Sequence, residues 1–138
     1  MSSRLNPYLS FAGDTKQAME FYKDVFGGEL ASNTFGEFGM ENMPADGIMH
    51  AQLETQAGYT IMAADQMPGS ERQHGNDNTI SISGDDETEL KGYWAKLAED
   101  GNVTMPMEKQ MWGDTFGMLT DKFGIDWMIN ISGGDAGA

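Results

Sequence analysis

The feature that most constrains this chain is an order of hydrophobic patterns that runs through it twice: an alternating segment, a segment with helical spacing, then three further alternating segments. The two runs share this order more than they share residues, and a period of roughly 70 residues is too long for the stacked units of a solenoid. A duplicated α+β unit of βαβββ type fits. Each half then owns one helix, which can cover only one face of its strands. The other face must be buried by the second half, by a partner chain or by a ligand, and that requirement is the physical route to a cavity.

In the first run, Leu9 and Phe11 alternate with Tyr8 and Ser10, which predicts a strand over 6–11. Asp14 with Gln17 reads as a capping box, and Ala18, Phe21, Tyr22 and Val25 recur at helical spacing until Gly27-Gly28 ends the helix. A strand is predicted over 29–35. The stretch 36–47 holds Gly36, Gly39, Gly47 and Pro44 and reads as an irregular loop of the kind that overlies a pocket. Strands over 48–55 and 59–64 follow, joined tightly around Ala57-Gly58. Asp65 is placed to cap or brace the polar linker, about 67–77, in which His74 reads as a surface residue.

The second run opens on Thr79-Ile80-Ser81-Ile82-Ser83. Asp86 with Glu89 offers another capping pair, and Leu90, Tyr93, Trp94 and Leu97 form the helical stripe that Gly101 closes. Strands are predicted over 103–108, 115–120 and 125–131, the last two joined by a turn at Asp121-Lys122-Phe123-Gly124. Trp127 is expected under the helix, and the small, polar tail 133–138 is expected to be disordered. One domain results, with module one at about 4–66 and module two at about 78–132.

Composition removes several classes of function. At 138 residues, with 39% apolar and 10% aromatic residues, the chain can bury one sizeable core. Acidic residues outnumber basic ones 22 to 8, for a net charge of −14, which disfavours nucleic acid and anionic membranes as partners. No apolar run approaches the roughly 20 residues of a membrane-spanning helix, and MSSRLNPYLS lacks the pattern of a secretion signal, so a cytoplasmic location is expected. The absence of cysteine closes thiol chemistry and disulfides. Twelve methionines suit an irregular core or an adaptable binding surface.

Chemistry-bearing residues gather in two places. His50, Gln52 and Glu54 alternate with Ala51 and Leu53, which puts an imidazole, an amide and a carboxylate on one strand face at roughly 6.6 to 6.8 Å spacing. There His50 could serve as a general base or, with Glu54, as a ligand reaching into a cavity, or the three could form a plain polar face meeting water or a dimer partner. Trp112, Asp114 and Phe116 offer aromatic surface for a flat ligand and a carboxylate to orient it. No Ser-His-Asp arrangement, phosphate loop or convincing carboxylate pair is present.

Longer motifs carry a family resemblance. Asn6-Pro7-Tyr8-Leu9-Ser10-Phe11-Ala12-Gly13, Ala18 to Tyr22 with Phe26 to Leu30, Ile61 to Asp65, and above all Trp112 to Gly117 leading into Thr120 to Asn130 span nearly the whole chain. In these the sequence resembles the vicinal oxygen chelate superfamily, which includes glyoxalase I, extradiol dioxygenases and bleomycin-resistance proteins, and within it the PhnB-like branch. The resemblance implies paired βαβββ modules in an open U-shaped mixed sheet around a cavity, and a homodimer. Some relatives carry a methyltransferase label, yet the chain has no Gly-rich strand-to-helix turn of the kind an S-adenosylmethionine site needs.

Metal-using members of that superfamily place ligands on the first and last strands of each module. Here the corresponding positions fall on Asn6 or Pro7, near Met62, on Asn78 or Thr79, and near Met128. A divalent ion seeks imidazole and carboxylate rather than thioether, so no metal and no other cofactor is expected. The expectation is a pocket for a small hydrophobic or aromatic molecule, lined by Tyr8, Met62, Thr79, Trp112, Asp114, Phe116 and Met128. The alternative is an isomerase, lyase or oxygenase that uses His50 as base, or a relocated metal on His50 and Glu54. A third possibility is a dimeric scaffold whose cavity is filled by its own side chains.

Overall fold

A computed structural model describes residues 3, 5–39, 46–66, 75 and 77–133. The linker, His74 included, lies outside them except for Gly75 and Asp77, as do residues 40–45 of the 36–47 loop and the tail from 134 onward. The chain divides into two compact units, Met1–Gln73 and His74–Ala138.

The first unit contains β1 (Tyr8–Phe11), α1 (Thr15–Phe26), β2 (Glu29–Thr34), a one-turn 3₁₀ helix (Gly36–Phe38), β3 (Ile48–Glu54) and β4 (Thr60–Asp65). Its strands form one open mixed sheet in the order β1-β4-β3-β2, with β1 parallel to β4 and the other pairs antiparallel. The second unit repeats this with β5 (Ile80–Gly84), α2 (Glu87–Ala98), β6 (Asn102–Lys109), β7 (Thr115–Thr120) and β8 (Asp126–Ile131), in the order β5-β8-β7-β6. The α+β class and the two βαβββ modules expected from the repeated pattern are therefore present, as two four-stranded mixed sheets.

Each helix lies on one face of its own sheet. In the first unit Ala18, Met19, Tyr22, Val25 and Phe26 of α1 are buried with Phe11, Ile48, Ala51, Leu53, Ile61 and Ala63 of the strands. In the second, Leu90, Tyr93 and Leu97 of α2 are buried with Ile82, Leu119, Trp127, Ile129 and Ile131. In β7 and β8 every second residue feeds the core, whereas the edge strands β2 and β6 bury none of theirs, and the alternate residues point to the opposite face of each sheet. Phe21 and Trp94, expected in the helical stripes, are half-buried, and the Trp94 ring packs so closely on Gly117 that an added Cβ there would lie 2.6 Å from it.

Two local expectations are corrected and a third is met in part. Asp14 makes no side-chain cap on α1. That task falls to Asp65: its Oδ1 accepts from Gly13 N (2.9 Å), Thr15 N (3.2 Å) and Thr15 Oγ1 (2.6 Å), while Oδ2 accepts from Ile48 N (2.8 Å). Helix N-termini expose unsatisfied N–H groups, and a carboxylate brought in from a neighbouring strand satisfies them as well as a local cap does. By contrast α2 is capped locally, with Glu89 N donating to Asp86 Oδ1 at 3.1 Å, as the capping pair predicts. Gly133, assigned to the tail, is tied down by its N–H, which donates to Asp114 Oδ1 at 3.0 Å.

Candidate functional site

On the first sheet, Tyr8, His50, Gln52, Glu54 and Met62 share the face turned away from α1, because Ala51, Leu53 and Ala63 between them are buried. Tyr8 is level with Met62, and Met62 with Gln52. The rings of Tyr8 and His50 are 6.1 Å apart and tilted by 35°. Glu54 is engaged at the hairpin end of β3, where Gln52 Nε2 donates to Oε1 at 2.5 Å and Thr60 Oγ1 donates to Oε2 at 2.7 Å. His50 lies two strand repeats away, about 13 Å along the backbone. The structure thus sets His50 against Tyr8, and Glu54 against Gln52 and Thr60.

Among the described residues no three His, Cys, Asp or Glu side chains gather where they could hold a metal ion. The positions the superfamily uses for ligands present an amide or a proline, an amide or a hydroxyl, and two thioethers, a donor set that does not fit a hard or borderline divalent ion.

On the second sheet the corresponding face carries Phe116, Met118 and Thr120 from β7 and Asp126, Met128 and Asn130 from β8, all half-buried. Met118 lies opposite Met128, Phe116 opposite Asn130 and Thr120 opposite Asp126, so the two thioethers sit side by side. At the Thr120 end Thr120 Oγ1 donates to Asp126 Oδ1 at 2.6 Å. There an open depression of about 580 Å³ is lined by Gly75, Thr79, Thr104, Met118, Leu119, Thr120 and Asp126.

The other end of this face is closed by the β6–β7 hairpin. Gln110 N donates to the Asp114 carbonyl at 2.7 Å, and Gly113 N to the Gln110 carbonyl at 3.0 Å. The Asp114 carboxylate accepts from Asn130 Nδ2 at 2.9 Å and from Gly133 N. These bonds, the Asn130 amide first, then the Gly133 N–H and the Trp112 indole, hold its carboxyl below the usual carboxylate range. Trp112, 60% exposed, meets Phe116 edge to face at 6.4 Å. Asp114 therefore ties the β6–β7 hairpin to Asn130, on the strand that carries Met128.

The predicted site residues fall into two groups, one on each unit: Tyr8, His50, Glu54 and Met62 on the first, and Thr79, Trp112, Asp114, Phe116 and Met128 on the second. Within the second group Thr79 lines the depression, Met128 lies mid-face, and Trp112 with Asp114 stands at the hairpin. The sequence reading missed Met118, Thr120, Asp126 and Asn130. Once the turn at 121–125 is taken as a hairpin pivot, alternation puts all four on the face of Phe116 and Met128, so the signal was present in the register.

Comparisons with known proteins agree with this architecture. A sequence profile described as the Glyoxalase/Bleomycin resistance protein/Dioxygenase superfamily matches residues 4–129. The chain is 34% identical to the protein YjdN of Escherichia coli K12, over 92% of this chain and 94% of that one. Among solved structures, protein PA1353 from Pseudomonas aeruginosa superposes with a TM-score of 0.80 at 34% identity, covering 95% of this chain and 98% of the other. A PhnB protein from Bacillus cereus superposes with a TM-score of 0.78 at 24% identity, covering 94% and 100%, and supports the fold alone.

Proposed function

The chain belongs to the glyoxalase/bleomycin resistance protein/dioxygenase superfamily, and on that footing we propose that it binds a small hydrophobic or aromatic molecule without a metal. The observation that carries this reading is the half-buried face of the second sheet turned away from α2, where Phe116, Met118 and Met128 form an apolar floor between the depression and the Trp112 indole. Thioethers adapt their shape and make favourable contacts with aromatic rings, and an edge-to-face aromatic pair gives a flat ligand a wall to stack on. A metal has no role in this reading, because the inherited ligand positions hold poor donors.

The test is a screen of small aromatic compounds by thermal shift and by quenching of tryptophan fluorescence. Binders are expected, and Phe116→Ala should weaken them by about tenfold. Absence of any stabilising compound, together with detected turnover of some substrate, would remove the proposal.

A second reading, proton transfer by His50, is favoured by the half-buried imidazole standing against Tyr8 on the face away from α1. Stoichiometric uptake of Zn²⁺, Ni²⁺, Mn²⁺ or Fe²⁺ that is lost in His50→Ala would instead support a relocated metal. Assembly as a homodimer is supported by β6, a sheet-edge strand that leaves Val103 and Met105 exposed. Light scattering at the 15.1 kDa of one chain would exclude it.

A further inference from the structure

Three thioethers lie in one row across the second sheet. Met105 on β6 is the register partner of Met118 on β7, and Met118 is the partner of Met128 on β8. Cross-strand partners present their side chains to one face with Cβ atoms about 4.5 to 5.5 Å apart, so Met118 has a thioether neighbour on either side. That face is the one turned away from α2, because Gly117, Leu119, Trp127 and Ile129 are buried on the other. From this juxtaposition we infer that the row binds a soft monovalent cation of the copper(I) class, with Met118 as the central ligand and Met105 and Met128 leaning in from the flanks.

Packing does not require these residues. Strands favour β-branched and aromatic side chains, and methionine is neither. Nor is the row part of the core: Met118 and Met128 are half-buried, and Met105, on the sheet edge, is 42% exposed. In the first module the matching row is Ala31, Gln52, Met62 and Tyr8, which carries a single thioether on the same backbone frame. The fold therefore does not impose three.

The chemistry of the donors selects the ion. An uncharged thioether is a poor ligand for a hard cation such as Mg²⁺, but its polarizable sulfur suits a soft one, and copper(I) is the biological ion that sulfur donors select. Met128, which fails a divalent ion at its inherited position, suits this one. Methionine has three rotatable bonds, so the flanking side chains can converge on Met118 without moving the backbone. Phe116, next along β7 on this face, adds a ring that attracts cations, and the net charge of −14 raises their local concentration. This goes beyond the binding of an aromatic molecule, which needs an apolar floor but no sulfur.

The experiment uses silver(I), which shares the charge of copper(I) and its preference for sulfur, added as the nitrate in chloride-free buffer to the full chain with isotope-labelled methionine methyl groups. The NMR signals of Met105, Met118 and Met128 should shift together along one isotherm. They should do so at silver concentrations about tenfold or more below those that shift Met111, a 99% exposed thioether outside the row. Mg²⁺ should leave all three in place. Met118→Leu keeps volume and apolar character and should weaken silver binding at Met105 and Met128 by about tenfold or more. Met105→Leu, on the exposed edge strand, tests the same point if Met118→Leu does not fold, with an expected loss of about threefold or more. A thioether has no proton to lose, so affinity should change by less than about threefold between about pH 7 and pH 5. The inference is overturned if the three signals stay still, if they move no earlier than Met111, if Mg²⁺ moves them as well, or if neither leucine substitution weakens binding. Loss of binding at the lower pH also overturns it, because that would mark imidazole or carboxylate ligands.

Discussion

The two modules of this chain solve the same backbone problem with different side chains. Both third and fourth strands are joined by a five-residue hairpin: Thr55 N donates to the Tyr59 carbonyl at 2.9 Å, and Asp121 N to the Ile125 carbonyl at 2.8 Å. In each, a glycine with positive φ, 93° at Gly58 and 90° at Gly124, makes the turn. The register that follows places Glu54 opposite Thr60 and Thr120 opposite Asp126. The hydrogen bond across that pair survives with its partners exchanged, threonine donating to a carboxylate on the neighbouring strand in both, at 2.7 Å and 2.6 Å. On the face away from the helix, His50, Gln52 and Glu54 of the first module stand where Phe116, Met118 and Thr120 stand in the second. The helix side must stay apolar to fold, whereas the far side is free to differ. A polar face and an apolar face on one architecture indicate that the modules divided their chemistry after they shared their fold.

The sharpest way to break this correspondence is at the glycine that follows each helix. A carbon on Gly28 would lie 2.0 Å from the Glu54 carbonyl oxygen, and one on Gly101 would lie 2.6 Å from the Thr120 carbonyl oxygen, which are corresponding atoms. Gly28 alone of the two has a positive φ, 105°. Gly28→Ala should therefore cost about 4 kcal/mol or more, and Gly101→Ala about 2 to 3 kcal/mol, by urea denaturation. Equal costs would show that the positive φ at Gly28 adds nothing to the steric cost the two exits share.

Next in size are the hairpin anchors. Asp121, 3% exposed, satisfies two backbone N–H groups and the Trp127 indole, whereas Thr55 in the same position satisfies only Tyr59 N among the bonds resolved at its hydroxyl. Asp121→Ala should cost about 3 to 4 kcal/mol, including the stranded indole donor, against about 1 kcal/mol for Thr55→Ala. The helix caps repeat the contrast on a smaller scale. Asp65→Ala removes an acceptor shared by α1, Gly13 and the start of β3, for about 2 to 3 kcal/mol, and Asp86→Ala removes one local cap, for about 1 kcal/mol. Should Asp86→Ala prove the costlier, the distant cap would carry less than its hydrogen bonds indicate.

These anchors also mark where the sequence spoke and where it did not. Alternation and helical spacing reveal every strand and both helices, because burial on one face imposes a period that no other arrangement produces. The capping pair at Asp86 is visible because donor and acceptor are three residues apart. Asp65 lies 50 residues from Thr15, and no local pattern can reveal a bond of that span. At the candidate site, Phe116 and Met128 could be picked out as residues facing away from the helix. Their neighbours Met118 and Asp126 needed the register of β7 against β8, which a run of apolar residues leaves open by one position. His50, Gln52 and Glu54 share one face, as alternation requires, but alternation says nothing of what lies across the sheet, and Thr60 lies across from Glu54.

The smallest effect concerns the hairpin before each third strand, and it sharpens the comparison through pH. In the first module the backbone bond that closes this connection joins Phe35 to Gly47, which has no side chain; in the second it joins Gln110 to Asp114, whose carboxylate accepts from Asn130 and Gly133. These donors stabilise the charged form, so the folded-state pKa lies below the unfolded value of about 3.9. The stability the carboxylate contributes is then fully present above that value and is lost as the pH falls from there through the folded-state pKa. Asp114→Asn keeps the shape and removes the titration. Glu87, likewise held low by Lys91, titrates in both proteins and cancels in the difference. The unmodified protein should therefore lose stability more steeply than Asp114→Asn only in that acid window, as read from urea denaturation at a series of pH values. Identical acid slopes would mean that Asn130 and Gly133 hold the hairpin without help from the charge, and that the second module gains nothing here over the glycine of the first.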